Sequence, residues 1–527
     1  MILRGRVGLI ILFKDFYKNV VTRFSYWGII LLFSIIAYGF SMLNRTISID
    51  DLAKDLYIGN GQKMLAGTRW GMVLWHNVLG VTQVTPFIEK FLGVLFLIIA
   101  SALISCIFYL LGGKSKCIMR YTILSALLIT YPLINEIWEY SGANMIVAGN
   151  LCIVAGTVLY QITSERRWYV RLISGVALSV VASSYETGIF VYITLVLMIL
   201  FYKYCFVRNN MKKKCQWIYE GFGFSIPLFI ALGLRIVIGI SLLKIYGLTY
   251  AANGASMLEW EFTFSHVKGL VKDCIYTYIV SGLVYLPIAV FVILAVAFVA
   301  IFTWIGLKRK QLLACVLGIC ILGSLFLQVL VQGVVMPYRN ANTLSLFVAF
   351  VGFLILHSPQ KWSKIATCGC LLLCLHQSIY LHQILALNNQ RSENELAVVR
   401  QIGFRLKSEF EHKPIIFVGN YDMGDWLYSH VSAAKDTING KIYFKLTGKG
   451  KYIETNVNSA LNWSIQAFGN QNMMKEYFAY CGYDIQLVQE NATEKYYEAT
   501  GVAQQKKMKA FEILEQEEYL IISIGDF

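Results

Sequence analysis

Asp50 and Asp51 stand side by side a few residues after the first long apolar run of the chain, in NRTISIDDLAKDL. Adjacent carboxylates at a boundary between apolar and aqueous surroundings tune one another: one, ionised and aimed, takes a proton from an attacking hydroxyl, or the two together hold a divalent cation. The same residues at a helix start cap its first N–H groups and complement its dipole, and the two roles are compatible.

Three other groups carry chemistry. NEIWEYSGAN at 135–144 places Glu136, Trp138, Glu139, Tyr140 and Asn144 between two apolar runs. Carboxylates that accept hydroxyl hydrogens beside aromatic rings that cover an apolar sugar face suit carbohydrate recognition, while headgroup aromatics in a tight loop are the plainer account. SSYETG offers Tyr185 and Glu186, again between apolar runs, and VQGVVMPYRNAN offers Arg339 as its one cation. A guanidinium in such a place binds phosphate through two parallel charge-assisted contacts, or snorkels to a lipid headgroup. Arg69 precedes a stripe of Trp70, Val73, Leu74, Trp75, Val78 and Leu79 at helical spacing. That pattern predicts an interfacial helix, an anchor or a lateral door for a lipid-linked substrate. His376 and His382 are six residues apart, poor spacing for two metal ligands on one helical face, and read as packing residues.

The elements that must position these groups follow from composition. Of 527 residues, 57% are hydrophobic and 15% charged, and the mean hydropathy is +0.58. That excludes an ordinary water-soluble enzyme and predicts an integral membrane protein. The net charge of +15 does not point to nucleic acid, because residues 385–527 carry 15 basic and 18 acidic side chains and the remainder 31 and 13. Positive charge belongs to the apolar part. Nearly all of the twelve cysteines lie in or beside apolar segments, so no disulfide framework is expected. Cys-x-x-Cys, His-Glu-x-x-His and the Gly-x-x-x-x-Gly-Lys phosphate loop are absent from the sequence, leaving zinc hydrolysis and nucleotide-driven pumping without local support.

Residues 1–25 read as a basic amphipathic helix on the cytoplasmic membrane surface rather than a signal peptide, since Lys14 and Asp15 end the apolar run with no small-residue cleavage site. Apolar runs long enough to cross the bilayer follow at 26–43, 87–112, 119–134, 144–162, 169–184, 188–207, 217–241, 277–305, 311–331, 341–356 and 363–384. These eleven expected spans define a polytopic α-helical domain over 26–384, with a first outer loop at 44–86. With the N-terminus inside, alternate loops carry most Lys and Arg, including Lys114, Lys116, Arg120, Arg166, Arg167 and Lys212–Lys214, as the positive-inside rule requires. Ten acids, among them Asp50, Asp51, Glu136, Glu139 and Glu186, then fall outside and only Asp15, Glu165 and Glu220 inside. An acid between apolar helices needs water or a partner, so a polar outer cavity is expected. Residues 385–527 read as a small extracytoplasmic α/β domain, opening with a charged helix and continuing with strand-like PIIFVGN, KIYFKL, DIQLVQ and EYLIISIG.

This ordering of a multispan bundle, an acidic pair, GTRW at 67–70, a short acidic loop after the third span, PYRN at 337–340 and IIFVGNY opening the tail resembles the serotype-converting O-antigen glucosyltransferases of the GT-C superfamily. The chain departs at Glu186, where a glutamine is expected. The resemblance implies a hexosyltransferase of the bacterial plasma (inner) membrane that takes a sugar, glucose by analogy, from a polyprenyl phosphate and passes it to a cell-surface glycan with inversion. Asp50 or Asp51 would be the base and Arg339 and Arg69 the phosphate ligands. Glu136, Glu139, Trp138, Tyr185 and Glu186 would bind sugar or acceptor, and the α/β domain would shape the acceptor site. Expected partners are the lipid-linked donor, the glycan, membrane lipids, and a donor synthase and flippase, with no nucleic acid. No cofactor is implied, though the acidic pair would equally serve a divalent cation. The rival reading is a transporter or flippase of a lipid-linked sugar, which should show half-to-half repetition and charges at mid-bilayer.

Overall fold

The computed structural model describes residues 13–44, 46, 61–80, 86–112, 117–132, 135–138, 143–164, 167–207, 216–250, 260–261, 263–274, 288–308, 311–335, 342–357, 360–410, 413–418, 471–488 and 511–524. Asp50, Asp51, Glu139 and Arg339 lie outside these residues, as does the expected strand KIYFKL, and Glu136 is described in its backbone alone.

The apolar runs become helices: α1 Phe24–Leu43, α2 Trp70–Leu79, α3 Pro86–Gly112, α4 Ile118–Ile129, α5 Ala143–Thr163, α6 Trp168–Ser184, α7 Thr187–Phe201, α8 Gln216–Tyr246, α9 Phe264–Cys274, α10 Ile288–Lys308, α11 Leu312–Ser324, α12 Asn342–Ile355 and α13 Gln360–Glu409. Among the described residues, six helices are long and apolar enough to cross a membrane by themselves: Phe24–Leu43, Phe87–Gly112, Ala143–Thr163, Thr187–Val207, Gln216–Tyr246 and Trp362–Glu409. Five further apolar helices of 10–17 residues coincide with the remaining expected spans. One is interrupted. The run expected at 311–331 stops at Ser324, turns through Leu325 and Phe326, and resumes as a short helix Leu327–Gln332.

The chain forms two compact units. In the first, α3 lies along α5, α6 along α8, and α12 against α4. Aromatic rings fill the centre of the bundle, with Phe108, Phe201, Phe298 and Phe353 gathered around Phe350 and its neighbours at centroid separations of 5.1–6.3 Å. The described part of the N-terminal segment docks on the bundle through one face. Phe16 and Val20 are buried, Phe16 meets Tyr109 edge-on at 5.3 Å, and Asp15 accepts hydrogen bonds from Asn19 (2.9 Å) and Tyr109 (3.0 Å). Phe13, Tyr17 and Phe24 stay exposed, so one face docks on α3 and the other remains apolar and open.

The second unit contains the part of α13 from Ile384, β1 Ile415–Val418, α14 Gln471–Tyr480, β2 Phe511–Glu515 and β3 Leu520–Ile524. The sheet runs β1-β3-β2, with β1 parallel and β2 antiparallel to β3. The two-residue period of a strand sends Ile415, Phe417, Leu520 and Ile522 to a core closed by Val399, Ile402, Met474 and Phe478. Ile416, Val418 and Ile521 go to the opposite face. DIQLVQ supplies a single bridge, Leu487 to Ile415, rather than a strand. FEILE, not expected as a strand, is β2: it pairs with β3 along its whole length, a cross-strand partner that a short local pattern cannot reveal.

Candidate active site

Four segments far apart in sequence meet at one chamber of mostly apolar lining inside the first unit. Trp138 ends the short helix Asn135–Trp138, Asn144 and Asn150 lie on α5, Tyr185 joins α6 to α7, and Asn342 and Ser345 open α12; all line the chamber with apolar side chains such as Leu97, Leu128 and Leu346. Three of the expected outer loops thus contribute to the same cavity.

Its polar groups are fixed by their surroundings. The indole N–H of Trp75 on α2 donates to Asn150 Oδ1 at 3.2 Å, and Ser184 Oγ donates to the same oxygen at 3.2 Å. An indole nitrogen can only donate, so the amide oxygen of Asn150 must face Trp75 and its Nδ2 turns away. Asn144 is fixed likewise, because its Oδ1 accepts the backbone N–H of Met145. Consequently Asn144 Nδ2, Asn150 Nδ2 and the Trp138 indole nitrogen are buried without a hydrogen-bond partner among the described residues. Asn144, Trp138 and Asn150 are only 0%, 1% and 2% exposed. Each such orphan costs about 1–3 kcal/mol.

The helix expected from the Trp70–Leu79 stripe forms, but its buried residues are Gly71 and Met72, with Trp75 half-buried, while Leu74 and Val78 of the stripe are exposed. α2 packs against α6, and close approach needs glycine: a Cβ on Gly71 would stand 2.5 Å from Ser183 Oγ, and one on Gly149 2.7 Å from the Trp75 indole. Before this helix Thr68 has φ 57°, the left-handed region that a β-branched residue rarely enters. It is pressed against Gly239 of α8, where a Cβ would lie 3.1 Å from the Thr68 side chain. Arg69 follows it, half-buried, its guanidinium making no hydrogen bond or ion pair with the described residues.

Glu186 pairs through Oε1 with Arg235 Nη2, the two side chains 24% and 21% exposed. Arg235 sits on α8 one turn before Gly239. It interrupts an apolar helix, the one signal by which sequence reading finds it, since an ionisable residue within an expected span marks function and implies a partner. Asn150 carries the same signal inside α5. Neither was singled out by spacing, because their partners lie 49 and 75 residues away. Among the described residues, no group of three or more His, Cys, Asp and Glu side chains is placed to hold a metal.

A bundle of apolar helices, six of them long enough among the described residues to cross a membrane, around a chamber that an indole and two amides help to line defines a membrane protein with a candidate site. A family model described as glucosyl transferase GtrII matches residues 39–356, more than half of the chain and every element that lines the chamber, and the chain belongs to that family. It is therefore related to glucosyl transferases, enzymes that move a sugar from a donor to an acceptor. Comparison with curated proteins and with solved structures finds no match.

Proposed function

We propose that this protein is a GT-C-type glycosyltransferase that moves a glucosyl group from a polyprenyl phosphate to a cell-surface glycan on the outer side of the bacterial inner membrane. The observation that carries the reading is the meeting of Trp138, Asn144 and Tyr185 at one chamber in a chain of the glucosyl transferase family. Family membership also favours transfer over transport of a lipid-linked sugar. The loop charges support an inside N-terminus, an odd number of spans near eleven and an outside tail, with 1–25, 26–384 and 385–527 as the three parts of the chain.

In the proposed reaction Asp50 or Asp51 takes the proton of an acceptor hydroxyl. The acceptor oxygen bonds to the anomeric carbon as the bond from that carbon to the phosphate oxygen breaks, and the electron pair leaves with the lipid phosphate, inverting the centre. Arg339 and Arg69 hold that phosphate, where charge grows in the transition state and a preorganised guanidinium lowers the barrier most. Arg69 is suited to the task because its guanidinium makes no internal pair with the described residues. Glu136, Glu139, Trp138 and Tyr185 bind donor or acceptor hydroxyls, and Glu186, with Oε1 taken by Arg235, offers Oε2.

The test gives purified full-length protein a polyprenyl-phosphate glucose and a cell-surface glycan. Transfer is expected in the wild type, with a loss of about a hundredfold or more in whichever of Asp50→Asn and Asp51→Asn removes the base. Full-rate transfer in both variants would take the acidic pair out of the mechanism, and no transfer by the wild type would end the proposal.

A further inference from the structure

Resting on the transferase reading and its assignment of Arg69 to the donor phosphate, we infer that Thr68 is a positioning residue: held in a strained backbone conformation against α8, it fixes Arg69 where the lipid phosphate arrives. Nothing in the family match gives Thr68 a role.

Thr68 closes the short helix Gln62–Ala66: its N–H donates to Leu65 O at 2.9 Å and that of Arg69 to Met64 O at 2.8 Å. A residue that ends a helix in this way takes a positive φ, which glycine adopts freely and a β-branched residue only against steric resistance. Gly67 stands next door at φ −81°, so a shift of one residue would place a glycine at the strained position. Instead Thr68 takes it, alone among the described non-glycine residues. The hydroxyl does not account for this choice, since it makes no hydrogen bond with the described residues. What the branched side chain does is pack. It fills the groove that Gly239 leaves on α8, where a Cβ on Gly239 would come within 3.1 Å of both Thr68 Cβ and Thr68 Cγ2. Three residues further on, Gly71 is pressed as closely on α6. The chain is thus pinned to α8 at Thr68 and to α6 at Gly71, with Arg69 between the two pins.

Arg69 is fixed in its backbone and uncommitted in its side chain. Its N–H is bonded to Met64 O and its carbonyl accepts from Met72 N–H at 3.1 Å, yet the half-buried guanidinium makes no hydrogen bond or ion pair with the described residues. Nor does it serve α2, since it precedes that helix without a side-chain capping bond, where a cation opposes the helix dipole. A rigid base under such a guanidinium suits recognition of a phosphate, because little ordering remains to be done when the ligand binds. Strained conformations persist where surrounding structure holds them, and they cluster at ligand clamps. Gly239 follows Arg235 by one turn, so Thr68 rests on the face of α8 that holds the ion pair with Glu186. The Arg69 turn and the Tyr185–Glu186 loop are therefore registered on one helix.

The experiment measures transfer from polyprenyl-phosphate glucose to the glycan by full-length protein in lipid nanodiscs, inhibition by polyprenyl phosphate, and thermal unfolding. Thr68→Gly releases the strain and empties the Gly239 groove. It is expected to melt no lower than the wild type, to lose about tenfold in kcat/KM for the donor and to weaken inhibition by a similar factor, with KM for the glycan unchanged. Thr68→Val keeps the branched shape and gives up a hydroxyl that bonds nothing among the described residues, so it should keep the wild-type kcat/KM. In an Arg69→Gln background, itself impaired toward donor and inhibitor, Thr68→Gly should cost little more, because it acts through Arg69. If Thr68→Gly fails to fold, Thr68→Asn, which tolerates positive φ and lacks the branch, takes its place. Unchanged donor kinetics and inhibition in the folded variant, an equal loss with and without Arg69, or a parallel fall in melting temperature and in the parameters of both substrates overturns the inference and leaves the transferase reading standing. An Arg69→Gln protein that transfers and is inhibited like the wild type removes Arg69 from the phosphate and the inference with it. Absence of transfer by the wild type overturns the transferase reading as well.

Discussion

At the scale of single residues, the Glu186–Arg235 pair and the three orphan donors are opposite solutions to the same difficulty, a polar group among apolar helices. The pair satisfies itself, so removing one member strands the other. Arg235→Gln or Glu186→Gln should each destabilise the protein by about 1–3 kcal/mol. The double variant should lose less than the sum of the two, and thermal unfolding of the four proteins measures the coupling. His357, just beyond α12, gives a prediction in pH. Its Nδ1–H donates to Phe353 O (2.9 Å) and its Nε2 accepts the Tyr202 hydroxyl (3.0 Å), which fixes the neutral tautomer. Burial, with the nearby positive charge of Arg120, pushes its pKa down to about 4. An unfolded histidine near 6.5 takes up a proton that the folded one refuses, so stability is full above about 6.5 and falls as pH descends from there toward 4. The melting temperature of the wild type should drop across that window more steeply than that of His357→Gln.

Among elements, α2 shows how a sequence pattern can be right about a helix and wrong about its buried face. The spacing of Trp70, Val73, Leu74, Trp75 and Val78 selects a helix, yet the residues that contact the bundle include Gly71, which a hydrophobic pattern passes over. What sets the rotation is how closely α2 can approach α5 and α6, and that depends on Gly71 and Gly149. Gly149→Val should push the Trp75 indole away from Asn150, destabilise the protein by about 1–3 kcal/mol by overpacking, and leave the indole N–H without its acceptor. Loss of melting temperature, together with a red-shifted tryptophan emission, checks this outcome. In the tail, β1 and β3 were legible because four or five consecutive apolar residues suit a strand buried on both faces. β2 was not, since Phe511–Glu515 alternates too briefly to distinguish strand from loop.

For the whole molecule, the unequal charge of the two parts of the chain supports an outside tail. Orientation is open to direct measurement at Glu517, an exposed residue between β2 and β3. With Glu517→Cys, a membrane-impermeant maleimide should label intact cells as strongly as permeabilised ones; labelling only after permeabilisation would put the tail in the cytosol and reverse the loops. The native Cys481 will contribute little background, because it is half-buried and burial raises its thiol pKa, leaving little thiolate to react.

By itself the sequence determined the solvent of this protein and the order of its parts. Apolar runs of sufficient length commit to helices in a bilayer whatever their neighbours do, since unpaired backbone groups are too costly there. It also pointed to the loops from which Trp138 and Tyr185 enter the chamber. Tertiary structure alone decided that these loops meet, that Arg235 turns to Glu186, and that Asn144 and Asn150 present donors rather than acceptors. The physical reason is separation: apart from Asn144, which its neighbour Met145 orients, these decisions rest on contacts between helices many residues apart, whose approach is set by glycines and by packing that local periodicity does not encode.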